Sequence, residues 1–258
     1  MSTTPRIPGK IALVTGASRG LGRATALSLA KNGNGVIVTY LANKAAADDV
    51  VTAIEALGQK AVALQLDSGN VSTFAAFAAE LNRVLAETWG VDRFDFLVNN
   101  AGIGIVAPFA QATEAQFDEL MNVNFKGVFF LTQTLLPLIA DGGRIVNLSS
   151  GLTRFSFPGY AAYASMKGAI EVLTRYLAVE LGARKIAVNS FAPGAIATDF
   201  GGGVVRDNAD VNAHIASITA LGRVGLPDDI GPAIASLLSE DNHWINAQRI
   251  EASGGMML

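Results

Sequence analysis

The stretch GYAAYASMK, Gly159 to Lys167, sets two phenols ahead of one ammonium. A tyrosine near a lysine is a candidate proton donor or acceptor. A free phenol has a pKa of about 10, and a neighbouring positive charge favours phenolate and lowers it. Spacing separates the two phenols. In an α-helix, side chains four apart share a face and lie about 6 Å apart along the axis. Tyr163 and Lys167 have that spacing. Tyr160 and Lys167 also share a face but stand roughly 10 Å apart along it. Tyr160 follows Pro158 and Gly159, where a helix is only beginning. Tyr163 is therefore the predicted acid or base, with Lys167 supporting it. Tyr160 is expected to line a substrate pocket or a subunit contact.

A second group of residues suits an anion. In TGASRGLGRA, Gly16, Gly20 and Gly22 follow an apolar run and open a helical one. Glycine lets backbone approach a diphosphate, and the helix N-terminus offers free N–H groups and a positive dipole end. This predicts a dinucleotide site built by Gly16, Ser18, Arg19, Gly20, Leu21 and Gly22. The cofactor's ribose is read at the end of the second strand, where Asp or Glu would accept from a 2′-hydroxyl. Thr39, Tyr40 and Leu41 stand there, without an acid. A carboxylate would repel a 2′-phosphate, and its absence removes that barrier. Arg19 and Lys44 can supply positive charge. NADP(H) is the favoured cofactor, with NAD(H) as the alternative.

These groups need a scaffold. Apolar runs of strand length recur at 10–15, 35–40, 61–66, 94–99, 143–148, 186–191 and 247–252. They show little alternation, as expected of strands buried on both faces. Ala- and Leu-rich segments of helical length lie between them, at 21–32, 43–57, 70–88, 113–139, 160–182 and 227–239. Strand–helix alternation implies parallel βαβ units with right-handed crossovers. The expected fold is a doubly wound, seven-stranded parallel α/β sheet of Rossmann type, covering 1–258 as a single domain. The Gly-rich DFGGGVVRDN, 199–208, reads as a mobile loop or lid, with a substrate loop at about 199–222.

TGASRGLG (15–22), NNAG (99–102), SS (149–150), YASMK (163–167) and PGAIAT (193–198) occur in this order. In motifs and separations the chain resembles the short-chain dehydrogenase/reductases over nearly its whole length. The resemblance implies hydride transfer between a nicotinamide cofactor and a carbonyl or secondary alcohol, with a ketone, an aldehyde or a 3-oxoacyl group as substrate. It gives Tyr163 the proton, Lys167 its support and a bond to the nicotinamide ribose, and Ser150 the substrate oxygen. Asn124, in NVNFKG, would complete a water-linked proton relay. Asn99, Ala101 and Gly102 would close the adenine side, with Asp67 and Ser68 at the adenine itself. Pro193, Gly194, Ile196 and Thr198 would hold the nicotinamide carboxamide and diphosphate. Ser149 and Ser150 point to opposite sides of a strand end, and alternation alone does not choose between them. The resemblance chooses Ser150. Where the family often has Asp before two glycines near the chain end, this sequence has Ser253.

Composition narrows the rest. Half the residues are hydrophobic and 16% are charged, which suits a buried core and not a disordered chain. A net charge of −3 gives no basic excess for nucleic acid or anionic membrane. Without cysteines there are no disulfides and no thiolate metal sites. His214 and His243 lack carboxylates at ligand spacing, so no metal is expected. MSTTPRIPGK lacks a signal-peptide core, and GVFFLTQTLLPLIA is short and interrupted by polar residues and Pro137. A cytoplasmic enzyme with a small-molecule substrate and no membrane partner is expected. Phe129 and Phe130 read as core. The helices carrying NVNFKGVFFLTQTLLPL and YASMKGAIEVLTRYLAVEL offer apolar area beyond a sheet-facing stripe, which predicts a homo-oligomer; the family expectation is a homotetramer. The rival readings are a non-catalytic dinucleotide sensor or scaffold, and an isomerase or dehydratase on the same fold.

Overall fold

The computed structural model describes residues 9–258. The stretch 1–8, part of the segment read as lacking a signal-peptide core, lies outside the described residues. Seven strands form one sheet: β1 (Ile11–Val14), β2 (Gly35–Tyr40), β3 (Ala61–Gln65), β4 (Phe94–Asn99), β5 (Ile139–Leu148), β6 (Ala187–Pro193) and β7 (Arg249–Ala252). All neighbours pair in parallel, in the order β3-β2-β1-β4-β5-β6-β7. The order reverses between β1 and β4, and a crevice opens outside the strand ends at such a switch point.

Strand composition follows from burial on both faces. Ala12 and Val14 of β1 point into one core with α1 (Gly20–Lys31), α2 (Lys44–Ala56) and α9 (Pro227–Leu237). Ile11 and Leu13 point into the other, with α3 (Phe74–Trp89), α5 (Gly127–Leu135) and α6 (Ala161–Glu180). Neither face meets water, so polar alternation is absent. Among the described residues, no helix is long and apolar enough to cross a membrane.

Three elements differ from the sequence expectation. The segment 113–139 is not one helix. It is α4 (Glu114–Met121), a π-turn at Asn122–Lys126, α5, and a 3-10 turn before β5. Asn124 sits in that π-turn, and its amide donates to the Leu120 carbonyl at 3.0 Å and the Ile103 carbonyl at 3.1 Å. A side chain competing for backbone partners in this way is a known cause of a broken helical ladder. The Gly-rich 199–222 carries α7 (Val204–Asp207) and α8 (Ala209–Ser217), the latter capped by Asn208. Lastly, Phe129 and Phe130 are not core. Each keeps more than a third of its surface exposed on α5. Helical phase turns them away from the sheet, which Leu131 and Leu135 meet instead.

Candidate active site

The site lies at the carboxyl ends of β1, β4, β5 and β6. Its first wall is the turn after β1. Thr39 Oγ1 accepts from the Gly16 N–H at 3.1 Å, tying the turn to β2. The Asn100 amide donates to the Thr15 carbonyl at 2.7 Å, tying it to β4. A Cβ on Gly22 would lie 2.5 Å from the Gly16 carbonyl oxygen and 2.8 Å from Ala17 Cα, so no side chain fits there. Arg19 precedes α1 in extended conformation and gives no side-chain cap. The first-turn N–H groups of α1 therefore have no side-chain acceptor of their own, which suits a diphosphate. A Cβ-free turn, open helix donors and a β2 end without acid fit a dinucleotide bearing a 2′-phosphate. Gly16, Ser18, Arg19, Gly20, Leu21 and Gly22 all line the cleft, as do Tyr40, Asp67, Ser68, Ala101 and Gly102. Pro193, Gly194, Ile196 and Thr198 form the facing edge.

Two predicted cofactor residues are placed elsewhere. Asn99 is buried away from the cleft, where its amide donates to Asn147 Oδ1 at 2.8 Å and Thr132 Oγ1 at 3.0 Å. Successive strand residues alternate sides, and Asn100 is the one that reaches the cleft. Asn99 links β4 to β5 and α5 at the sheet centre. Lys44 is not part of the cleft wall: its ammonium is held by Asp48 at 2.7 Å, one helical turn on. Arg19 is the cation that remains at this end, and it pairs at 3.5 Å with Asp199 of the 199–222 segment.

The second wall carries Ser150, Tyr163 and Lys167, all buried and all lining the cleft. Ser149 Oγ donates to Glu171 Oε1 at 2.6 Å, turning away from the phenol. Ser150 faces the phenol. Its Oγ accepts from the Leu152 N–H at 3.2 Å, and its hydroxyl favours the ionised form of the Tyr163 phenol. Lys167 donates from Nζ to the Leu148 carbonyl at 2.8 Å and lies 5.7 Å from the centre of the Tyr163 ring. Asn124 is fully buried behind Gly102, where a Cβ would stand 2.8 Å from its Oδ1 and 3.6 Å from Lys167 Nζ. Both ends of its amide are taken by the backbone of Ile103 and Leu120.

Among this chain's own groups, the Tyr163 phenol is pushed up from its ordinary value. Burial is the largest cause; the Ser150 hydrogen bond opposes it, and Tyr160 adds to it. Burial lowers the Lys167 ammonium to about 8. As it stands, Tyr163 holds its proton firmly, as suits a group that donates one.

Beyond the phenol the cleft is apolar. Its volume is about 620 Å³. Phe155 and Phe157 stack edge to face at 5.5 Å. Together with Val205, Val211, Ile215 and Met256 they make the far wall, and Tyr160 stands at its edge. Phe200, from the turn before α7, lies 5.7 Å from the Tyr163 ring. The sequence expectation placed the substrate loop at about 199–222 and did not include Phe155 and Phe157. Their signal was position: TRFSFPGY joins the serine turn to the tyrosine helix.

One anchor of this wall has a pH signature. Arg154 donates to both oxygens of Glu251 and to the Met256 carbonyl at 2.6 Å. Arg154 first, then Ser253 and Arg249, hold the Glu251 carboxyl at about 2, below its ordinary 4.5, against opposing burial. A depressed carboxylate contributes its full stability above about 4.5 and loses it as pH falls through about 2. Glu251→Gln is expected to shallow the decline of Tm across that acid window. An unchanged slope in a pH series of thermal melts would count against it.

A family model described as enoyl-(acyl carrier protein) reductase matches residues 16–257. A tetrahydroxynaphthalene reductase of Pestalotiopsis fici is 36% identical, covering 96% of this chain and 91% of its own. Among solved structures, the promiscuous reductase LugOII, which catalyses keto-reduction at C1 during lugdunomycin biosynthesis, superposes with TM-score 0.92 and 39% identity, over 98% of this chain and all of that one. The landomycin C-6 ketoreductase LanV, with bound NADP and rabelomycin, gives TM-score 0.88 and 39% identity over 96% of both. A chain matched along almost its full length at this identity, on the same sheet and with the same ordered motifs, belongs to the short-chain dehydrogenase/reductase family of NAD(P)(H)-dependent oxidoreductases.

Proposed function

We propose that the chain reduces a ketone on a fused-ring aromatic substrate, using NADPH. The carrying observation is a proton-bearing, buried Tyr163 beside Ser150 at the throat of an apolar cleft walled by Phe155 and Phe157. The names of LugOII, LanV and the naphthalene reductase support the same substrate class.

When bound, the reduced nicotinamide supplies the hydride. The glycine turn from Gly16 to Gly22 and the N-terminus of α1 would hold the diphosphate. Arg19 and Tyr40 would meet the 2′-phosphate end, Asp67 and Ser68 the adenine, and Pro193 to Thr198 the carboxamide end. Ser150 orients the substrate carbonyl by donating to its oxygen. As the carbonyl carbon gains hydride, negative charge grows on that oxygen, and Tyr163 donates its phenol proton to it. The products are the secondary alcohol and NADP⁺. Lys167 then favours phenolate until solvent returns the proton. Asn124 fixes the loop at Ile103 through both ends of its amide. The apolar wall around Phe155 and Phe157 would pack on the ring system and exclude water from the carbonyl.

The test is a panel read by nicotinamide absorbance with both NADPH and NADH: a bicyclic aromatic ketone, a linear 3-oxoacyl thioester and an enoyl thioester. The aromatic ketone with NADPH is expected to give the highest kcat/KM, by about tenfold or more. Faster turnover of the enoyl thioester would move the reading to the activity named by the matched family model. Isomerisation without nicotinamide turnover would overturn it.

We also propose a cytoplasmic homotetramer. The outer faces of α5 and α6 leave an apolar groove between Phe125, Phe129, Val172, Tyr176 and Leu177, with Val179 80% exposed beside it. A second copy burying these faces explains their composition. Val179→Glu is expected to yield smaller particles by light scattering. An unchanged mass would reject this surface as the contact.

A further inference from the structure

We propose that Arg249 is a positioning residue for Ser150, locking the serine turn to the tyrosine helix from behind. Ser150 sits on a short connection: only the 3-10 turn Gly151–Thr153 follows it before the chain runs on to α6. A serine that must meet both a phenol and a carbonyl oxygen needs firmer support than one such turn gives.

The support comes from β7. The Arg249 side chain is three-quarters buried, and its guanidinium reaches three elements at once. Nη2 donates to the Ser150 carbonyl at 3.3 Å. Nε donates to Glu171 Oε1 at 2.8 Å and lies 3.2 Å from Thr153 Oγ1. Nη1 donates to Glu251 Oε2 at 2.8 Å. Glu171 is the decisive partner. It follows Lys167 by four residues and Tyr163 by eight, so the three share one side of α6. Glu171 also accepts from Ser149 Oγ at 2.6 Å and lies 2.7 Å from Thr153 Oγ1. One planar fork thus ties the Ser150 peptide to the helix that carries the phenol. The Leu152 N–H fixes the Ser150 hydroxyl from the other side. A lysine could keep the charge here but could not bridge three acceptors in one plane.

The inference rests on the ketone-reductase reading, and its test separates the two. Arg249→Lys is expected to lower kcat about tenfold, with KM for NADPH unchanged. In a Ser150→Ala background, the same substitution is expected to change kcat by less than about twofold, because Arg249 acts through Ser150. Hydrogen exchange is the readout independent of turnover. Peptides spanning 150–155 should exchange faster in Arg249→Lys, and those of the glycine turn should not. Should Arg249→Lys fail to fold, Glu171→Gln carries the same comparison. A wild-type protein inactive on every ketone defeats the reductase reading, and exchange still reads the anchor. An active wild type overturns the inference if the variant keeps full kcat, shows equal losses with and without Ser150, or leaves exchange at 150–155 unaltered.

Discussion

Tyr163→Phe is expected to lower kcat for ketone reduction by about 10³-fold while NADPH affinity stays within about twofold. The substitution removes one oxygen and keeps the buried ring, so packing against Leu120, Met166 and Phe200 survives. What it removes is the proton. Burial holds that proton on the phenol, and the Ser150 hydroxyl beside it works against burial. Without the phenol, solvent would have to protonate the growing alkoxide in a cleft walled by aromatic rings. Tyr160→Phe is the control. Tyr160 lies on the cleft edge one residue before α6, and its loss should touch KM for the ketone more than kcat. Stopped-flow turnover with a fluorescence titration of NADPH reads both numbers. Equal loss of kcat in the two variants would defeat the assignment.

Gly22→Ala is expected to weaken NADPH binding about 100-fold, which is roughly 2.7 kcal/mol. One methyl group suffices because of what it meets. The Gly16 carbonyl oxygen at 2.5 Å and Ala17 Cα at 2.8 Å are backbone, and the Asn100 amide at 2.5 Å is already bonded to the turn. None of these can yield without opening the curve that aims N–H groups at the diphosphate. The same strain should lower Tm, since overpacking of this kind costs about 1–3 kcal/mol. Titration calorimetry and a thermal melt would check the pair of effects. Wild-type affinity in the alanine variant would show that the turn is not where the diphosphate is held.

What could be read ahead of the structure depended on range. The seven strands were legible because both sheet faces are covered, so each strand wrote itself as an apolar run. β7 was overdrawn by two residues because Ala247, at φ 59°, breaks the extended backbone. Tyr163 and Lys167 were legible because four residues on a helix is a local fact. Asn99 and Asn100 were not told apart, since which neighbour faces the cleft depends on Thr132 and Asn147 far along the chain. The pairing of Lys44 with Asp48 one turn on was not drawn from the sequence, although i,i+4 spacing on a helix allows it. The burial of Tyr163 was not legible either. Spacing on a helix shows which groups are neighbours, whereas the largest influence on the phenol is burial, and burial is a property of the whole fold.

The π-turn at Asn122–Lys126 also makes the site sensitive to counting. A π-turn is an α-helix with one residue too many, taken up locally so that the helices on either side keep their faces. Deleting the extra residue would let α4 and α5 run on as one continuous helix, with Phe129 and Phe130 still on the outward side. What the deletion would remove is the bulge that carries the Asn124 amide to the Ile103 and Leu120 carbonyls. A gain in regularity would thus fall on the segment whose irregularity the site uses.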